Sequence, residues 1–237
     1  MKYIVLLASV IVFLMMNTLG IGIILVPVEY LVTIIHESGH ATAAFITGGH
    51  VKLIEISPEG GGFTQTSGGM ESLILMSGYL GSIMFANIFI FFGFTKFKTS
   101  RVITFIISMF FLFTAFGLYN SIGSTIIQLV YAAFFLIISI KLYMISGYVL
   151  VSLGTMALVD ALMNFNVHPK SDLQMYSQLM GGPADMWMYL WLAIAVIITG
   201  INAYIIYKEG GFLNEELQKK IRNEKYWDKI RKKTLNI

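Results

Sequence analysis

His36, Glu37 and His40 stand in the order His-Glu-x-x-His inside an apolar run from Pro27 to Thr47. On a helix, residues four positions apart lie on one face, so both imidazoles converge on a single zinc ion. The glutamate between them stays close enough to take a proton from a water at that metal. Such a layout suits metal-assisted hydrolysis. The bland alternative is two histidines falling at helical spacing by chance. Against it stands the cost of burying two imidazoles and a carboxylate in hydrocarbon without partners, several kcal/mol in general.

A catalytic zinc takes three protein ligands and keeps one position open. The chain has no cysteine and only four histidines, so the third ligand must be an imidazole or a carboxylate. Asp160, Asp172, His168 and His50 are the candidates on the matching side of the chain. Asp172 comes first, because it opens a helical stretch after Pro169 and Ser171 where a short polar turn aims a side chain. Asp160 comes second, as a ligand or as the group that orients a histidine through its other nitrogen. Either aspartate also reads as a helix cap. His50 reads equally as a strand residue.

The elements that position these residues belong to a membrane. Of 237 residues 57% are hydrophobic and 12% charged, more apolar surface than one water-soluble core hides. About seven hydrophobic spans follow one another, with the motif helix not necessarily crossing fully, giving an all-α polytopic fold of about six to seven transmembrane helices. The first span reads as a retained helix, because its apolar run is longer than a signal core and lacks a small-x-small cleavage site. Pro27 and Glu29 start the motif helix and Gly48-Gly49 ends it.

Next, His50 to Ile56 and Phe63 to Thr66 read as strands around a turn at Pro58 to Gly62, a small β-hairpin after the motif helix. Its free edge suits an extended peptide adding as another strand, and a plain surface loop is the competing reading. The glycine-rich stretch Gly60 to Gly69 is a candidate lining for a polar cavity. Ser77, Gly78, Gly81 and Ser82 would let a neighbouring helix approach closely. Glu71 reads as a helix-start charge, and Trp187 and Trp191 as an interfacial aromatic belt.

Two regions follow from charge: a membrane-embedded domain over residues 1–207 and a basic tail over 208–237, where nine Lys/Arg stand against five Asp/Glu. Leu213, Leu217 and Ile221 recur in the tail at helical spacing, as in an amphipathic helix on a lipid surface; a solvated helix is the alternative. The loop Lys96 to Arg101, Lys141 and the tail fall on one side, which the positive-inside rule makes cytoplasmic. The bilayer is thus a partner and nucleic acid is not. Four crossings separate the motif helix from the Asp160 to Asp172 region, so both emerge on one side.

HESGHATAAFITGG, VKLIEISPEGGGFTQTSGG and MSGYLGS, with a downstream aspartate ending a helix and the pair Ser171-Asp172, resemble the B-like branch of the site-2 protease family of membrane-embedded zinc metalloproteases. The resemblance runs to about Trp191 and leaves the tail unmatched. It implies a zinc-dependent endopeptidase acting on transmembrane protein substrates, with His36 and His40 as ligands and Glu37 as catalytic acid and base. The family's third ligand is an aspartate in a Leu-Asp-Gly motif after an Asn and Pro turn; here Asn166, Pro169 and Ser171-Asp172-Leu173 stand in that region. The alternative from another class is a non-catalytic scaffold or metal-binding protein that keeps the fold and has no use for Glu37. A transporter fits less well, because ionisable residues cluster near one face.

Overall fold

The computed structural model describes residues 1–19, 24–57, 61–117 and 120–234, with side chains to residue 208 and at Glu224. Pro58 to Gly60 of the hairpin turn, and the tail's Leu213, Leu217 and Ile221 as a side-chain face, lie outside the described residues. In order, the elements are α1 (Lys2–Thr18), α2 (Val26–Ile46), β1 (His50–Ile56), β2 (Gly62–Ser67) and α3 (Glu71–Phe94). They continue as α4 (Phe97–Gly117), α5 (Ile122–Ile140), α6 (Ser146–Met163), α7 (Asp172–Met180) and α8 (Ala184–Thr234). Five helices among the described residues are long and apolar enough to cross a bilayer, and α1 is a shorter apolar helix. The chain is an all-α polytopic membrane protein with a small β-hairpin after its second helix.

Two compact units divide the chain, residues 1–199 and 200–237. In the first, α2 packs on α3, the hairpin and α6, while α3 packs on α6 and α4 on α5. Leu31, Ile34 and Ile35 of α2 join Phe89, Phe111, Phe135 and Leu150 in one buried cluster. Outward, α4 and α5 expose Phe113, Phe116, Val130 and Ile137, which a lipid solvent accepts without cost. Because lipid supplies no hydrophobic drive between helices, close backbone approach and polar contacts hold them together. Gly39 of α2 meets α3 where a Cβ would collide with the Ser77 carbonyl, so this crossing needs a glycine. Ser108 on α4 donates to the Ala132 carbonyl of α5 at 2.7 Å.

Pro27 sits in the first turn of α2, where its missing N–H costs nothing, and Gly48 takes a left-handed φ of +82° just past the helix end. The hairpin pairs antiparallel, His50 with Ser67 and Ile56 with Gly62, with an irregularity between Val51 and Leu53. β1 is held from the far side: Ile56 N–H donates to Ser124 Oγ at 2.7 Å, and Ile54 bridges Asn120. Among the described residues the sheet has two strands, so β2 pairs with β1 alone, and both strands pack on α2. Glu71 lies in the first turn of α3, as its type and position predict.

One expectation fails. Trp191 is not part of an interfacial belt: it is 1% exposed and packs on Tyr79 and Tyr176, with ring centroids 6.1 and 5.0 Å away. Trp187 is half-buried, donating to the Gly181 carbonyl at 2.8 Å and meeting Tyr176 edge-on. Both lie at the start of α8, where the chain returns against α7. At Trp191 aromatic packing replaces contact with the bilayer interface.

Candidate active site

Helical periodicity stacks His36 above His40 on one face of α2, with ring centroids 4.8 Å apart and planes nearly perpendicular. His40 Nδ1–H donates to the Ile74 carbonyl of α3 at 2.6 Å. A carbonyl only accepts, so Nδ1 carries a proton and Nε2 is the ring nitrogen turned toward the site, the one a metal would take.

Asp172 arrives from 136 positions down the chain, and its Oδ2 lies 3.0 Å from His36 Nε2 and 3.2 Å from His40 Nε2. Local chemistry sets its direction. Ser171 caps α7, its hydroxyl accepting from Gln174 N–H at 3.3 Å, so the capping role falls to the serine and the Asp172 carboxylate is free to face the imidazoles. Burial alone would push the Asp172 carboxyl up, but hydrogen bonds from His36 and His40, with their charge, hold it well below the usual carboxylate range.

Glu37 projects from α2 toward the hairpin and is 5% exposed. Thr64 Oγ1 of β2 donates to Glu37 Oε2 at 2.6 Å. A Cβ on Gly62 would stand 2.6 Å from Glu37 Oε1, so that strand position is bare where the carboxylate needs room. These groups line one cavity of about 1080 Å³. Gly61, Gly62, Gly68 and Gly69 contribute to its wall, the role expected of the glycine-rich stretch; Gly60 lies outside the described residues.

The remaining candidates fall elsewhere. Asp160 is buried on α6 and lines the same cavity, with the Asn164 side chain as its hydrogen-bond partner, but it is not in the cluster of ligand atoms. His168 is exposed at the cavity wall, its Nδ1 3.2 Å from the Pro169 carbonyl. His50 is exposed at the start of β1 and does not line the cavity. Among the described residues, the group able to hold a metal is His36, His40 and Asp172, whose ligand atoms lie within 4.8 Å of one another.

A zinc ion fits these residues on two counts. The donor set is two imidazole nitrogens and a carboxylate oxygen, three ligands that leave a position open. In addition, with Nδ1–H committed to the Ile74 carbonyl, His40 meets Asp172 Oδ2 through Nε2 at 3.2 Å, so once that proton is lost a lone pair and an anionic oxygen face one another and a cation takes its place between them. The room beside the cluster depends on Gly78 of α3: a Cβ there would lie 2.5 Å from His36 Nε2 and 2.6 Å from His40 Nε2.

Sequence reasoning missed three contributors: Thr64, Tyr79 and the Ile74 carbonyl. Thr64 was signalled only by strand alternation and Tyr79 only by lying next to Gly78. The Ile74 carbonyl is backbone, and no residue type marks it.

A family model described as peptidase M50B-like matches residues 4–201 of the chain. No curated protein and no solved structure matches it.

Proposed function

The chain belongs to the peptidase M50B-like family, and on that premise we propose that it is a zinc-dependent endopeptidase hydrolysing peptide bonds in or beside transmembrane segments of membrane proteins. The observation that carries this reading is the convergence of His36, His40 and Asp172 next to a carboxylate, Glu37, in one cavity. His36 and His40 would hold the metal from α2 and Asp172 from the start of α7. When bound, zinc supplies a Lewis acid for the scissile carbonyl and lowers the pKa of a water.

The rest of the reaction belongs to the chain. Glu37 takes a proton from the attacking water as its oxygen adds to the carbonyl carbon, and returns it to the amide nitrogen as the C–N bond breaks. The Thr64 hydroxyl holds Oε2 in place, leaving Oε1 on the open side beside Gly62. A helical substrate has its carbonyls engaged in its own hydrogen bonds, so the scissile segment has to be extended before attack. The unpaired edge of β2 offers backbone partners to such a segment. Water reaches this depth because glycine-rich, nonhelical backbone lines the cavity.

The test uses the full chain purified in detergent. Metal analysis should give about one zinc per chain, lost in His36→Ala and Asp172→Ala and kept in Asp160→Asn. Glu37→Gln should keep the zinc and lose cleavage of single-span membrane peptides. Cleavage by Glu37→Gln would overturn the peptidase reading and favour a scaffold.

A further inference from the structure

Tyr79 of α3 stands directly after Gly78, the residue whose missing side chain makes room for the two imidazoles. Its ring meets the His36 ring edge-on, centroids 5.0 Å apart and planes at 85°. On its other sides it packs against Phe165 at 4.8 Å and Trp191 at 6.1 Å. These contacts are made by the ring, and a phenylalanine would make them equally well. The hydroxyl is what they leave unexplained: it has no hydrogen-bond partner among the described residues, yet it is not sealed from solvent. A tyrosine in an aromatic wall ordinarily finds its O–H a partner, because an unmet donor is costly. Tyr79 lines the cavity shared by Glu37, His36, His40 and Asp172.

We propose that the Tyr79 hydroxyl is a catalytic hydrogen-bond donor to the oxygen of the scissile carbonyl. The proposal rests on the peptidase reading above. As water adds to the carbonyl carbon, the carbonyl π electrons move onto oxygen, and a donor already fixed beside that oxygen stabilises the charge without reorganising. Three aromatic neighbours supply that fixity, one of them the His36 ring. The other acidic and basic groups around the cavity do not duplicate the role: Glu71 and Asp160 are carboxyls, and His168 and Lys170 are exposed at the wall. When no substrate is present the hydroxyl is open to water in the cavity, which the carbonyl oxygen would displace.

Tyr79→Phe tests this, because it keeps every ring contact and removes one oxygen. The full chain is compared in detergent, zinc-loaded, in cleavage of a fluorogenic apolar single-span peptide and in binding of a phosphinic pseudopeptide, whose tetrahedral oxygens mimic the hydrated carbonyl. Tyr79→Phe should lower kcat about 100-fold with KM nearly unchanged, the size expected for one lost oxyanion donor. The phosphinate should bind at least about tenfold more weakly, while zinc content and melting temperature stay as in the parent. Unchanged kcat and phosphinate affinity would overturn the proposal. Loss of zinc or of stability would also overturn it, by assigning the hydroxyl to the fold, and so would failure of the parent to bind the phosphinate. Glu37→Gln run alongside separates the two readings. If it still cleaves, the peptidase reading falls; if it is inactive and Tyr79→Phe is unimpaired, only the donor role falls.

Discussion

Thr64 donates its hydroxyl proton to Glu37 Oε2 across 2.6 Å, tying the hairpin strand that borders the cavity to the carboxylate between the two motif histidines. The same hydroxyl also lies 3.1 Å from the Glu37 carbonyl, but one proton serves one acceptor and the shorter contact is to the charged oxygen. The bond therefore orients the group proposed to move the proton, and it couples that group to the strand proposed to receive substrate.

Thr64→Val removes the donor while nearly conserving shape. A hydrogen bond to a charged group contributes about 1.5–3 kcal/mol, and if about half of it is expressed in the reaction, kcat falls about 4- to 12-fold. Thr64→Ser should restore the rate, and zinc content should not change in either variant. Steady-state cleavage of a single-span peptide by the three proteins, with metal analysis, decides it. A Thr64→Val enzyme as fast as the parent would mean that Glu37 is held by its own helix alone.

Gly78 and Gly81 lie on the same helix three residues apart and differ in what a methyl group would meet. At Gly78 a Cβ would sit within 2.6 Å of both Nε2 atoms, whereas at Gly81 its nearest neighbour would be Gly39 Cα at 3.6 Å, an ordinary contact. Gly78→Ala should therefore displace the imidazoles and weaken zinc affinity about 10–100-fold, the range seen when groups that orient ligands are disturbed. Gly81→Ala should bind zinc as the parent does. Competition against a fluorescent chelator measures both. Equal affinities would show that the imidazoles yield at no cost and that Gly78 serves only helix packing.

Much of this arrangement is legible in the chain alone, for physical reasons that differ from residue to residue. His36, Glu37 and His40 declare themselves because ionisable groups in an apolar run are costly and their spacing matches one helical turn. Asp172 is legible by topology: counting crossings puts the start of α7 on the motif's side, and Ser171 marks a helix start. Asp160 passes the same tests, and residue type does not separate the two aspartates. The packing of α6 and α7 on α3 does, because it brings Asp172 and not Asp160 to the imidazoles, and no local pattern records it. Trp191 shows the reverse case. An indole near a helix end suits a bilayer interface and an aromatic core equally, and only the return of the chain at Gly181 to Pro183 selects the core. Thr64 and Tyr79 are invisible in sequence because each acts through one hydroxyl placed by tertiary structure.

Acid should strip zinc from the protein chiefly through the imidazoles. Metal binding requires neutral histidines and an ionised carboxylate, so protons compete at all three ligands. They do not compete equally. The Asp172 carboxyl is held well below the usual range, so in weak acid it remains ionised and accepts no proton. Burial would lower the His40 imidazole, but its hydrogen bond to Asp172 and the charges of Asp172 and Glu37 push it up to about 9, so in the metal-free protein His40 holds a proton through the neutral range. Falling pH therefore favours the protonated, metal-free form, and from about pH 7.5 to about pH 5 the logarithm of zinc affinity should fall by at least about one for each pH unit. Chelator competition over that range measures this slope, and Asp172→Asn, which removes a ligand together with the charge that holds the His40 proton, should lower the affinity at about pH 7.5 and flatten the slope there. A parent affinity that does not change between about pH 7.5 and about pH 6.5 would mean that His40 is not protonated in the metal-free protein and that its close pairing with Asp172 does not hold in solution.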